Sequence, residues 1–89
     1  MAWTIEFVPA AAKELNALGS TEASRVVKFL AMRLAKLDDP RSIGDALKCR
    51  LGQLWKYRIG DYRIIAEIRD SVLLIFVVRI GHRREVYER

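Results

Sequence analysis

The sequence predicts an α+β domain: a small antiparallel-type sheet with an N-terminal helical hairpin packed on one face, in the order β-α-α-β-β-β. Three observations carry this. Residues 3–7 alternate apolar and polar. Apolar side chains then recur at helical spacing as far as Leu37, with one break at Gly19. From Leu54 onward the period returns to two, and the last apolar stretch, Val72 to Ile80, is apolar on both faces. Eighty-nine residues suffice for one core, so residues 1–89 read as a single domain.

Trp3, Ile5 and Phe7 alternate with Thr4 and Glu6, which makes Ala2 to Val8 the first strand. Pro9 suits the first position of a helix, where its missing N–H is not needed. Ala11, Leu15 and Leu18 form one stripe of that helix, and Gly19 stops it. Ser20 or Thr21 can cap a second helix running to about Leu37, with Val26, Val27, Leu30, Leu34 and Leu37 buried. Phe29 and Met32 fall on its flank, as core margin or as contacts for another chain. Asp38-Asp39-Pro40 ends it, and residues 38–53 read as a loop.

Leu54 to Arg69 reads as a hairpin. Gly60-Asp61 suits a type II′ turn, so Ile59 pairs with Tyr62, Arg58 with Arg63 and Lys56 with Ile65. Trp55, Tyr57, Ile59, Tyr62, Ile64, Ala66 and Ile68 share the apolar face, and Lys56, Arg58 and Arg63 gather on the other. Like charges facing each other across a ladder are destabilising, so this surface points to an anion. Arg69-Asp70-Ser71 is the next turn. Val72 to Ile80 is a central strand, on which periodicity does not assign Arg79 a face. Gly81 to Arg89 is a polar, basic tail.

Charge is segregated along the chain. Residues 1–47 hold six basic and six acidic side chains, whereas residues 48–89 hold ten and five, so the whole net charge of +5 lies in the second half. A one-sided basic surface is the footprint of a polyanion, or only a soluble basic surface. The longest apolar run, Val72 to Val78, is too short to cross a bilayer. The N-terminus lacks the pattern of a signal peptide. A lone cysteine, Cys49, allows no internal disulfide and suggests a reducing compartment, so a cytoplasmic, membrane-free protein is expected.

One His, one Cys and no phosphate-loop glycines argue against zinc or nucleotide chemistry, and no metal or cofactor is expected. What remains is Lys56, Arg58, Arg63, Arg79, Arg83 and Arg84 with His82, Tyr62 and Tyr87. Such a set suits RNA, whose phosphates take Arg and Lys and whose bases stack on rings. RNA also brings its own nucleophile, the 2′-hydroxyl, although simple binding uses the same side chains.

The blocks WKYRIGDYRII and GHRREVY, with the opening strand–helix–helix layout, resemble the RelE family of the RelE/ParE superfamily of type II toxin–antitoxin toxins. The resemblance spans essentially the whole chain. It implies a metal-independent endoribonuclease that cleaves mRNA in the ribosomal A site, is restrained by a cognate antitoxin, and meets DNA only through that antitoxin. It places Lys56 in proton transfer, Arg63 on the charged transition state, Arg83 near the leaving 5′-oxygen and Tyr87 on the nucleotide. Arg58 stands where a second lysine is usual, which keeps the charge and loses a proton donor. His82 stands where a lysine often occurs. It is an acid–base candidate, or an exposed residue of a basic tail. Arg84, Arg41, Lys48 and Arg50 would add phosphate contacts. Arg83 and Tyr87 must lie on the hairpin's basic face. The alternative from another class is a ParE-branch toxin that inhibits DNA gyrase without nuclease activity; a third is an inert binding module.

Overall fold

The computed structural model describes residues 2–49 and 52–82, with 48, 49, 52 and 53 described by their backbone. Strand β1 (Thr4–Phe7) leads through Pro9 into helix α1 (Pro9–Ala17), and Gly19 joins it to α2 (Ser20–Lys28). The second helical run continues through a π turn (Phe29–Arg33) and a 3-10 turn (Leu34–Lys36), so it ends at Leu37 as its periodicity predicts. Neither Ser20 nor Thr21 caps it: Gly19 occupies the N-cap at φ +89 and Ser20 is already helical. Strands β2 (Asp45–Cys49), β3 (Gly52–Ile59), β4 (Tyr62–Arg69) and β5 (Leu74–His82) complete the chain.

The sheet order is β1-β5-β4-β3-β2. It departs from the expectation in two respects. Residues 38–53 are not all loop, because β2 pairs antiparallel with β3 through Ala46–Trp55 and Leu47–Leu54. The sheet is also mixed, because β1 lies parallel to β5 through Thr4–Leu74 to Phe7–Val77. Both helices can then follow β1 and cover one face of the sheet. That face carries the core: Tyr57, Ile64, Ala66, Ile75, Val77 and Ile80 meet Ala11, Val26, Leu30 and Leu34. Phe29 packs at the core margin with its ring centroid 6.3 Å from that of Tyr57, whereas Met32 is 63% exposed. No helix among the described residues is long and apolar enough to cross a membrane.

The hairpin register is the expected one: Ile59–Tyr62, Arg58–Arg63 and Lys56–Ile65. Gly60 takes φ +56, the positive value that the first corner of a II′ turn requires. Strand β5 starts two residues later than expected, because Asp70–Val72 forms a 3-10 turn closed by Leu73 in the left-handed region. Its pairing with β4 shifts by one residue between Ile65 and Ala66. Ala66 faces Val77 and Ile65 faces Arg79, which leaves Val78 without an opposite number. This bulge inverts the alternation beyond it, so that Val77 and Ile80, three apart, are both buried.

Candidate functional site

Alternation along β3 and β4 puts Lys56, Arg58 and Arg63 on the sheet face away from the helices. Arg58 and Arg63 are directly opposed, a separation of roughly 4.5–5.5 Å at Cβ, and Lys56 lies on the diagonal from Arg63 at about 7–8 Å. Their exposures differ. Arg58 is exposed and Lys56 half-buried, but Arg63 is only 2% exposed. Among the contacts holding it, Nη1 donates to the Tyr62 carbonyl at 3.2 Å. On its other side the register partner is Gly81, which carries no side chain. A desolvated cation beside an exposed one is a geometry for gripping an anion, because a buried charge attracts a counter-charge far more strongly than a solvated one.

The expected set is not all on this face. His82 ends β5 in register with Tyr62, one residue from the Gly81–Arg63 pair, and therefore on the opposite side of the sheet. Its ring stands edge-on to Tyr62, with 6.1 Å between centroids. Both line a cleft of about 340 Å³ with Glu14, Ala17, Leu18, Ile80 and Gly81, beneath α1 rather than over the cations. Arg41 is engaged elsewhere. Its Nη1 donates to Asp39 Oδ1 (3.2 Å) and Asp70 Oδ1 (3.1 Å), and its Nη2 to Asp70 Oδ2 (2.5 Å). It also lies 5.9 Å from the Trp55 ring centroid, on the helix side of β3. The Asp70 bond raises the guanidinium pKa further, against a smaller opposing effect of burial. Lys48 lies in β2 in register with Gln53. Arg50, Arg83, Arg84 and Tyr87 lie outside the described residues.

Two acidic residues emerge that sequence reasoning passed over. Asp45 is the β2 register partner of Lys56, so a carboxylate-bearing residue flanks the lysine. The signal was hidden because β2 read as loop. Glu14 reaches from α1 to β5, where Oε1 accepts the Ile80 backbone N–H at 2.7 Å and Oε2 accepts Arg79 Nε at 3.2 Å. Its position was a legible clue: three residues after Ala11 and four before Leu18, it is an acid on the packing stripe of the helix. The Glu14 pair also settles the position of Arg79, which pairs with Ile65 in the ladder and sends its guanidinium to the helix.

Residues 5–87 match the family model of the ParE toxin of type II toxin–antitoxin systems, parDE. The chain is 28% identical to Toxin RelG of Mycobacterium tuberculosis over 89 residues, the full length of both. Among solved structures, the M. tuberculosis RelBE2 toxin–antitoxin complex superposes with a TM-score of 0.83 at 26% identity, covering 93% of each chain. The isolated E. coli RelE toxin superposes with a TM-score of 0.71 at 26% identity, covering 98% of this chain and 93% of that one.

Proposed function

The chain belongs to the ParE toxin family of type II toxin–antitoxin systems, within the RelE/ParE superfamily, and from that premise we propose that it is a ribosome-dependent mRNA endoribonuclease of the RelE type. The observation that carries this reading is the opposed pair Arg58–Arg63, with Arg63 sunk into the sheet and the side-chain-free Gly81 as its register partner on the other side. One phosphate between the two guanidiniums relieves their repulsion and takes the place of the solvent that Arg63 has lost. The 2′-hydroxyl of the RNA attacks that phosphate in line. The products are a 2′,3′-cyclic phosphate and a 5′-hydroxyl end, and this displacement needs no metal in principle. Lys56, on the diagonal, carries the proton-transfer role, and Arg58 and Arg63 neutralise the developing charge. Arg83 and Tyr87 complete the reading as leaving-group and base contacts. His82, on the far side of the sheet, is left out of proton transfer.

Residues 1–89 act in this reading as a single domain in the cytoplasm, on mRNA held by the ribosome. Lys48, Arg50 and Arg84 add non-specific contacts to ribosomal RNA. The partner is an acidic, partly apolar antitoxin segment that wraps the toxin by folding on it; toxin–antitoxin complexes of M. tuberculosis and E. coli relatives support an antitoxin as the partner. DNA is reached only through that antitoxin. Incubating the purified protein with programmed ribosomes and mapping mRNA ends is expected to give cuts in the A-site codon. Arg63→Ala should lower their rate by about 10²–10³-fold, the loss typical of removing one transition-state donor. Intact mRNA combined with inhibited gyrase supercoiling would move the protein to the ParE-branch activity.

A further inference from the structure

We propose that Glu14 is a positioning residue for the cationic site, acting through the backbone of β5; the proposal rests on the ribonuclease reading above. Strand β1 supports β5 only as far as the Phe7–Val77 pair and the Val8 N–H to Val77 carbonyl bond (3.0 Å). The chain then turns through Pro9, which has no N–H to give, into α1. Among the described residues, the last part of β5 has β4 on one side and no strand on the other. That same part begins with the Val78 bulge, and the bulge sets the alternation that brings Gly81 opposite Arg63. A bulged strand with one supporting neighbour is free to slip back to regular pairing, which would swap the faces of residues 79–82.

Glu14 occupies the place of the missing strand. One carboxylate oxygen takes the Ile80 N–H at 2.7 Å, as a neighbouring carbonyl would, and the other takes Arg79 Nε at 3.2 Å. Two consecutive residues immediately beyond the bulge are held by one side chain from another element. The contact is only partly solvated, with side-chain exposures of 35% for Arg79 and 30% for Glu14. Charge-assisted bonds to a backbone N–H are stronger than neutral ones, so a carboxylate suits this task. Glu14 stands beneath the sheet and has no route to the phosphate except through the strand it fixes.

The test pairs amide hydrogen exchange with cleavage kinetics on the full chain. In Glu14→Ala, the Ile80 amide should exchange at least tenfold faster while the Val8 amide, upstream of the bulge, keeps its protection. Cleavage of ribosome-bound mRNA should lose about tenfold or more in kcat with little change in KM. Glu14→Gln keeps a neutral acceptor and should fall between the two; it decides the matter if the alanine variant does not fold. Arg79→Gln leaves the backbone bond in place and should keep most of kcat. Unchanged Ile80 protection in a folded Glu14 variant would overturn the clamp. Lost protection with unchanged kcat would overturn the positioning role. A wild-type protein that cuts nothing would overturn the ribonuclease reading instead, and the exchange result would still judge the clamp.

Discussion

Gly44 is pressed against the face of Tyr57. A Cβ at this position would lie 2.7 Å from Cε1 and 2.9 Å from Cζ of that ring. The ring has nowhere to retreat: Tyr57 is 1% exposed, packs against Phe29, and donates its hydroxyl to the Pro40 carbonyl at 2.8 Å. Burial pushes its pKa well above the ordinary phenol value, so the hydroxyl stays a donor at any physiological pH. Gly44→Ala must either displace the ring or open the chain at residues 40–44, an overpacking that typically costs about 1–3 kcal/mol. The expected outcome is a lower urea midpoint at unchanged m-value. The backbone of Gly44 is extended, at φ −110, so strain contributes nothing and the cost is steric alone. Tyr57 sits between Lys56 and Arg58 on β3, so a displaced ring also shifts two of the three cations.

Arg41 fastens one element to another. It ties the 3-10 turn Pro40–Ile43 to the turn after β4, through Asp70, and covers Trp55 on the way. The Arg41 hydrogen bond holds the Asp70 carboxyl below its ordinary value of 3.8, outweighing a smaller upward push from desolvation. A depressed carboxylate stabilises the fold above its ordinary pKa, and that contribution is lost as pH falls through the lower folded value. Wild type should therefore lose more stability between pH 5 and about pH 2 than Asp70→Asn, with urea midpoints at the two pH values as the measurement. Sequence reading and structure part company at this level for physical reasons. The β3–β4 hairpin was legible because its turn and its alternation independently fix one register. Strand β2 was not, because DALKC is five residues between Gly44 and Gly52, and its strand character comes from pairing with β3. The bulge in β5 was invisible because residues 72–80 are apolar on both faces, so inverting the alternation leaves no trace in the pattern. The same inversion is why His82 falls on the side away from Arg63.

At the level of the whole molecule, the described arginines do not form one uniform basic surface. Arg41 faces two carboxylates, Arg69 pairs with Glu67 at 3.1 Å, and Arg79 pairs with Glu14. Arg58 is the exposed member of the opposed pair, and Lys56 and Arg63 lie deeper on the same face. Salt dependence separates such roles. A cation that neutralises an RNA phosphate releases a counterion, and each such contact contributes about 0.7 to the slope of log K against log salt for a single strand. Binding to ribosomes carrying a 2′-O-methylated A-site codon, which blocks the attack, can be titrated at several monovalent salt concentrations. Arg58→Gln should weaken binding and flatten the slope by about 0.7–1. Arg41→Gln should leave the slope unchanged and lower the unfolding midpoint, because it removes a tie between turns and not a phosphate contact. The reverse pattern, with a flatter slope for Arg41→Gln and none for Arg58→Gln, would put RNA on the helix side of the sheet and abandon the opposed-arginine site.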